Sequence, residues 1–149
     1  MRPGKRRPDE NVAAELFVDT SGWFPLVDPE DGAHAAMARA LRAAVKGRRR
    51  IVTTNLVVAE THALIMRRIH RSVALAFVRE VSLGPNIVVS SSLAFETVAR
   101  SEWLERFDDQ DLSFTDAVSF AVMKERGIRD VLALDHHFVV AGFSVLTER

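Results

Sequence analysis

Four carboxylates in this sequence stand at positions where a charge is unexpected. Asp19 ends the apolar run Leu-Phe-Val, and Asp135 ends the apolar run Val-Leu-Ala-Leu. Glu60 and Asp116 lie in segments whose apolar residues have helical spacing. A buried carboxylate without a partner is costly, so each group needs a hydrogen bond, a cation or access to water. Carboxylate oxygens are the ligands that Mg²⁺ and Mn²⁺ prefer, and a phosphate group often completes such a site.

Each of these acids also has an ordinary structural interpretation. Asp19 and Asp135 suit the turns that follow strands. The segment Ser113-Phe114-Thr115-Asp116 fits a capping box at the start of a helix. Glu60 interrupts the apolar face of its helix, and a tilt of that helix would bring it to water. Taken singly, each acid is more readily structural, and only their combination predicts a cation site.

The segments around the acids predict short strands that alternate with helices. Strands are expected at about 15–19, 50–54, 86–90, 130–135 and 143–147. Helices are expected at 33–46, from Thr54 or Asn55 to 69, at 72–81, from a Ser cap through Leu104, and at 114–127. This alternation predicts an α/β fold with a parallel sheet covered on both faces. Sites in such sheets form beyond the carboxyl ends of the strands, where Asp19 and Asp135 are expected.

Composition predicts a single globular domain. The chain has 149 residues, of which 48% are apolar and 27% charged, and it lacks cysteine. Disulfides, thiolate metal sites and cysteine nucleophiles are therefore excluded. There is no membrane-span-length apolar run and no signal-peptide-like start, which predicts a cytoplasmic protein without membrane attachment. Residues 1–14, which are basic and contain two prolines, are expected to form a flexible tail before a domain at 15–149.

Basic residues are clustered although the net charge is zero. Such clusters are usually solvated faces, but beside an acidic site they would also suit a polyanion. The candidate phosphate contacts are Arg48, Arg49, Arg50, Arg67, Arg68 and Arg71.

Two further pairs of residues have a functional and a structural interpretation. His136 and His137 follow Asp135 directly, but neighbours on an extended segment point in opposite directions. We therefore expect solvent-facing or capping histidines and not a pair of ligands. Trp23 and Trp103 could stack on bases, yet packing in the core or at a dimer contact is the favoured interpretation.

Four segments resemble, in order and spacing, the PIN-domain ribonucleases, particularly the VapC-type toxins of toxin–antitoxin pairs. They are LFVDTSGW, TTNLVVAE, LSFTDAVSFAVMKERG and ALDHHF…AGF, and the resemblance runs from about residue 15 to the end. It implies a PIN-like three-layer α/β/α sandwich with a parallel five-stranded sheet, and Mg²⁺- or Mn²⁺-dependent cleavage of RNA. Carried over motif by motif, it assigns Asp19, Glu60, Asp116 and Asp135 to an acidic quartet. The hydroxyl that supports Asp19 would belong to Thr20 or Ser21, and Ser21 is the candidate.

The resemblance also implies roles and partners. We expect Asp19 and Asp116 to be direct metal ligands, with Glu60 and Asp135 acting through water or positioning the nucleophile. A bound ion would activate water, hold the phosphate and stabilise the leaving oxygen. A cognate antitoxin protein and a homodimer are further implications of the resemblance.

The residues near Asp19 exclude two other classes of protein that also have an acid after the first strand. A haloacid-dehalogenase-type phosphatase needs a second Asp two residues after Asp19, where this chain has Ser21. A receiver domain needs an acidic pair after the first strand and an Asp after the third, and neither is present. The remaining alternative is a non-catalytic PIN-like module that binds RNA or protein, which the intact quartet disfavours.

Overall fold

Five strands form one parallel sheet in a computed structural model that describes residues 14–146. The strands are β1 (Leu16–Val18), β2 (Ile51–Thr54), β3 (Ile87–Val89), β4 (Asp130–Leu132) and β5 (Ser144–Val145). Their spatial order is β3-β2-β1-β4-β5, and every neighbouring pair is parallel. The predicted parallel five-stranded α/β fold is confirmed. The tail predicted at 1–14 lies outside the described residues apart from Ala14.

Within residues 14–146, seven α-helices pack around the sheet. They are α1 (Thr20–Val27), α2 (His34–Lys46), α3 (Asn55–Arg68), α4 (Arg71–Leu83), α5 (Leu93–Val98), α6 (Phe114–Arg126) and α7 (His137–Val140), and α5 continues as a π-helical turn at Ala99–Leu104. Helix α1 packs against α2 and α3, and α3 packs against α4, while α5 and its π-helical turn pack against α6. Within 14–146, no helix has both the length and the apolar character needed to cross a bilayer.

The centre of the core is β1 with helix α6 beside the sheet. Leu16, Phe17 and Val18 are all fully buried, as expected for a central parallel strand covered on both faces. In α6, eight consecutive residues from Asp116 to Met123 are buried. Gly127, with φ 69°, ends α6 in the left-handed conformation that favours glycine. A helix buried on all sides carries Asp116 into the interior of the molecule.

The chain order reverses beside β1, which is the feature that creates a site. β1 pairs with β2 on one side and with β4 on the other. The connections on the two sides therefore leave in opposite directions and open a crevice beyond the carboxyl ends of these strands. The crevice is bordered by the start of α1, the start of α6 and the loop after β4.

The structure differs from the sequence prediction at three elements. Helix α1 was not predicted, because Gly22 and Pro25 lower helix propensity, but an Asp19 cap and the buried Trp23 and Phe24 hold it. The short α7 was also not predicted. β4 ends at Leu132 and does not run to residue 135 as predicted, because its neighbour β1 ends at Val18 and turns into α1. Asp135 therefore lies in a loop after the strand.

Candidate active site

The structure brings the four predicted carboxylates to one cleft at the carboxyl ends of the strands. Asp19 follows β1, Glu60 lies on α3, Asp116 lies in the first turn of α6, and Asp135 lies after β4. All four line a cleft of about 440 Å³. An oxygen from each of the three aspartates lies within 4.8 Å of the others. This spacing suits three ligands of one cation.

Asp19 is held in place by Ser21. One oxygen of Asp19, Oδ2, accepts hydrogen bonds from the Ser21 backbone N–H at 3.1 Å and from its hydroxyl at 2.7 Å. The Ser21 hydroxyl oxygen in turn accepts the backbone N–H of Leu134 at 2.9 Å. Ser21 thus links the acid after β1 to the loop after β4. This contact agrees with the supporting position predicted for Ser21.

Gly22 lets α1 approach β4 closely enough for these contacts to form. A Cβ at this position would lie 2.3 Å from the carbonyl oxygen of Leu132 and 3.1 Å from the Val18 side chain. The backbone of β4 cannot yield without losing its pairing with β1. The absence of a side chain at Gly22 therefore permits the first turn of α1 to sit against the sheet.

Asp116 combines a capping position with a side chain in the cleft. The hydroxyl of Ser113 accepts the backbone N–H of Asp116 at 3.0 Å, as the predicted cap requires. The cap uses the backbone N–H, so the Asp116 carboxylate lines the cleft, and the residue is only 8% exposed. The structural and the functional interpretations of this residue are thus compatible.

Glu60 lies on the cleft side of α3 and not within its buried face. The buried residues of α3 are Val57, Thr61 and Ile65, and Glu60 is exposed beside them. Of the two alternatives for Glu60, the one in which the helix is turned so that this residue reaches water agrees with the structure, since Thr61 and not Glu60 faces the core. The Thr61 hydroxyl donates to either the Thr20 hydroxyl at 3.1 Å or the Val57 carbonyl at 2.7 Å. These contacts tie the residue after Glu60 to the residue after Asp19.

His137 lies behind the cleft, next to two of its acids, although the sequence predicted that it would face solvent or cap a helix. Its side chain is 14% exposed, and Nδ1 lies 3.0 Å from Asp135 and 3.9 Å from Asp116. His136, by contrast, has a side chain that is 74% exposed, so the solvent-facing prediction holds for it alone. The prediction assumed an extended segment, whereas the chain turns into α7 at His137. The tight turn is what brings Asp135 and His137 to the same side.

Burial and repulsion between neighbouring carboxylates disfavour the ionised forms of Asp19 and Asp116. Burial raises the pKa of Asp19 above its ordinary value, although hydrogen bonds from Ser21 act in the opposite direction. Burial, followed by the charges of Asp19 and Asp135, raises the pKa of Asp116 to about 7. Glu60 adds a smaller repulsion to both groups. A bound cation would relieve these interactions, which makes the cleft suited to one.

The predicted phosphate contacts are distributed over two ends of the molecule. Arg68 lines the cleft, where its guanidinium lies 5.5 Å from the centre of the Phe24 ring. Arg67 and Arg71 are exposed nearby in sequence but do not line the cleft. The cluster Arg48–Arg50 precedes β2 and so lies at the opposite edge of the sheet. Arg49 there binds Asp130 at 2.7 Å and is not available to the cleft.

The two tryptophans pack in the interior, as the favoured interpretation predicted. Trp23 is 7% exposed, contacts Phe77 edge to face and donates to the Thr53 hydroxyl at 3.3 Å. Trp103 is also 7% exposed and packs among Phe107, Phe120 and Phe143. Neither ring is placed to stack on a base.

Comparisons with known proteins agree with this architecture. Residues 16–143 match the family model of the PIN domain. Two strains of Mycobacterium tuberculosis have a curated relative, the 23S rRNA-specific endonuclease VapC20. It is 36% identical over 130 residues, which cover 86% of this chain and 95% of the relative.

Solved structures give the same result. The crystal structure of VapC20, a sarcin–ricin-loop-cleaving toxin of M. tuberculosis, has a TM-score of 0.82 and 32% identity. It covers 90% of this chain and 100% of that one. VapBC2 from Rickettsia felis, bound to a promoter DNA fragment, has a TM-score of 0.65 at 11% identity, covering 87% and 96%, and supports the fold alone. The chain belongs to the PIN-domain family, and within it to the VapC-type ribonuclease toxins.

Proposed function

We propose that this protein cleaves 23S ribosomal RNA at the sarcin–ricin loop, with Asp19, Asp116 and Asp135 holding a divalent cation in the cleft. The observation that carries the proposal is the convergence of three aspartate oxygens within 4.8 Å. We infer the substrate from the relative VapC20, which is 36% identical to this chain and is named a 23S rRNA-specific endonuclease. Its solved structure, with a TM-score of 0.82, is described as cleaving the sarcin–ricin loop.

The donor set fits a hard divalent cation. Carboxylate oxygens are what Mg²⁺ and Mn²⁺ bind. Burial, and to a smaller extent neighbouring carboxylates, raise the pKa values of Asp19 and Asp116, and a bound cation would favour their ionised forms. Among residues 14–146, no Lys or Arg nitrogen lies within ion-pairing distance of the four acids. When bound, the cation supplies Lewis-acid activation of water and charge stabilisation at the cleaved phosphate.

The chain's own residues divide the remaining work. Ser21 orients Asp19, and the Ser113 cap fixes the first turn of α6 and with it Asp116. Glu60 reaches the cleft from its exposed rim, where it can hold an attacking water by a hydrogen bond. Arg68, on the same helix face two turns later, is the cleft's candidate contact for a neighbouring phosphate. We assign Asp135 to the direct ligands, since one of its oxygens lies within 4.8 Å of oxygens of Asp19 and Asp116.

Membership in this family also suggests which partners the protein has. A VapC-type toxin acts in a pair with an antitoxin, so we propose an antitoxin protein that covers the acidic cleft and inhibits cleavage. A homodimer would place two clefts beside one folded RNA, and light scattering of the purified protein tests that state. Because the proposed substrate is ribosomal RNA, we also propose that the protein acts in the cytoplasm.

The test is cleavage of a sarcin–ricin stem–loop by the purified protein. We expect a single cut in the presence of Mg²⁺ or Mn²⁺, none with EDTA, and none by the Asp116→Asn variant. Asparagine preserves the shape of the side chain and leaves the Ser113 cap to the backbone N–H, so the variant should fold. A stem–loop of equal length and unrelated sequence is the substrate control.

The alternative outcomes separate the parts of the proposal. Cleavage of both stem–loops would retain the nuclease and reject the proposed substrate. Metal-independent cleavage, or full activity of Asp116→Asn, would reject the acidic site. Binding of the stem–loop without a cut under every metal condition would indicate a non-catalytic RNA-binding module.

A further inference from the structure

A buried ring nitrogen faces the carboxylates of the cleft without a hydrogen bond. Nδ1 of His137 is inaccessible to solvent and has no hydrogen-bond partner. It nevertheless lies 3.0 Å from Oδ1 of Asp135 and 3.9 Å from Oδ2 of Asp116. The distance to Asp135 is that of a hydrogen bond, but the direction is not. A buried polar atom in this state needs a partner.

Neither the backbone nor solvent supplies that partner. Oδ1 of Asp135 already accepts the backbone N–H of His137 at 2.9 Å. The exposed His136 ring packs against the His137 ring with 4.2 Å between centroids and helps to cover it. A lone pair on Nδ1 beside a carboxylate oxygen is repulsive unless a positive centre lies between the two atoms.

The contact between Nδ1 of His137 and Oδ1 of Asp135 has the distance of a hydrogen bond without its direction, and two ligands of one ion have this geometry. In an octahedral site with ligands at about 2.1 Å, adjacent ligand atoms are about 3.0 Å apart and opposite ones about 4.2 Å apart. Each lone pair then points at the ion, about 45° away from the neighbouring ligand. The distances from Nδ1, 3.0 Å to Asp135 and 3.9 Å to Asp116, fall within this range. The ring nitrogen thus lies at ligand-to-ligand distance from one oxygen of Asp135 and, less closely, from one of Asp116.

We propose that Nδ1 of His137 is a nitrogen ligand of the divalent cation held by Asp116 and Asp135, and that it biases the site toward Mn²⁺ over Mg²⁺. The inference rests on the proposed function, because the cation is the one assigned there to the acidic cleft. Mg²⁺ takes oxygen ligands almost exclusively, whereas Mn²⁺, although it also favours oxygen, is a transition-metal ion and accepts an imidazole nitrogen more readily than Mg²⁺ does. A mixed nitrogen and oxygen donor set thus distinguishes Mn²⁺ from Mg²⁺, which the acids alone do not.

The test uses the spectrum of bound Mn²⁺ and does not depend on activity. The untagged full-length protein is loaded with one equivalent of Mn²⁺ and measured by electron spin echo envelope modulation, which detects directly coordinated nitrogen. We expect nitrogen modulation in the wild type and in His136→Gln, and its loss in His137→Asn. His136→Gln is the matched control because it removes the adjacent, exposed imidazole.

Calorimetry supplies the second measurement on the same three proteins. We expect His137→Asn to weaken Mn²⁺ binding about tenfold and Mg²⁺ binding less, as the loss of one ligand among several predicts. Equal loss for both metals would overturn the Mn²⁺ preference.

The wild-type spectrum decides the inference even if His137→Asn fails to fold. Bound Mn²⁺ without nitrogen modulation would overturn the role of His137 and leave the acidic site intact. Failure of the wild type to bind Mn²⁺ at all would overturn both this inference and the proposed cation site. Nitrogen modulation that persists in a folded His137→Asn variant would assign the nitrogen to another residue and reject the inference.

Discussion

The two edges of the sheet treat acidic residues in opposite ways. At the amino edge, Glu15 accepts two hydrogen bonds from Arg126 at 2.8 and 3.1 Å, and Asp130 binds Arg49 at 2.7 Å. At the carboxyl edge, Asp19, Glu60, Asp116 and Asp135 gather in one cleft without such a partner among the described residues.

The difference separates a structural use of acids from a functional one. The ion pairs at the amino edge connect neighbouring segments of the sheet and its helices, and so help to stabilise the fold. At the carboxyl edge, burial and then the charges of Asp19 and Asp135 raise the pKa of Asp116, which disfavours the ionised, metal-free cleft at neutral pH. Sites that oppose local stability in this way are typical of functional centres. The following experiments test this comparison.

Neutralising one aspartate at each edge should give the largest contrast. We expect Asp19→Asn to lower RNA cleavage about 10³-fold, since an oxygen ligand at the reacting centre is lost. Asp130→Asn should leave cleavage unchanged because it affects only the pair with Arg49. Cleavage rates at saturating Mn²⁺ measure both effects. A comparable loss in the two variants would show that the edges are not functionally distinct.

The metal-free protein should lose stability as the pH rises. Asp116 has its pKa raised from 3.8 to about 7, so the folded state holds this proton more tightly than the unfolded chain does. The stabilisation is complete below the unfolded pKa and is lost as the pH rises through about 7. Between pH 5 and 8 we expect a loss of about 2 kcal/mol, less than the full shift because water reaches the cleft.

Urea denaturation in EDTA measures this dependence, with Asp116→Asn as the comparison. The variant should be more stable than the wild type at pH 8 and should lack most of the decline. Identical pH profiles in the two proteins would contradict the raised pKa of Asp116.

Removal of the Ser21 hydroxyl should have an intermediate effect. Ser21→Ala deprives Asp19 of its 2.7 Å hydrogen bond and the Leu134 N–H of its acceptor. We expect kcat/KM for RNA cleavage to fall about tenfold, in the lower part of the range for residues that orient metal ligands. Ser21→Thr keeps the hydroxyl and serves as the control. Unchanged activity in Ser21→Ala would remove Ser21 from the site.

The smallest effect is expected at the amino edge. Arg126→Gln removes the two contacts to Glu15. The side chain of Arg126 is 32% exposed and that of Glu15 is 14% exposed. We expect a loss of about 1 kcal/mol or less in the free energy of unfolding, because water and salt screen the pair. Thermal unfolding at low and high salt measures it, and cleavage should not change. A larger effect on cleavage than on stability would blur the distinction between the edges.

Much of the fold follows from local patterns in the chain. The apolar run at Leu16–Val18 predicted a buried strand, and Ser113 predicted the start of α6. The elements that were missed are those held by tertiary contacts. Helix α1 contains Gly22 and Pro25, and it forms because its buried face packs against the sheet and α3. Helix propensity does not include these packing contacts, which outweigh the unfavourable propensities of Gly22 and Pro25.

The order of residues along the chain is enough to identify the candidate cation ligands, because Asp19, Glu60, Asp116 and Asp135 occur in the order and spacing of the PIN-domain motifs. How these groups meet depends on tertiary contacts. The rotation of α3 put Glu60 at the rim, the early end of β4 put Asp135 in a loop, and the turn into α7 brought His137 beside Asp135. The physical reason is that residue types follow from the chain alone, whereas the direction of a side chain depends on which neighbours its backbone can pair with and pack against.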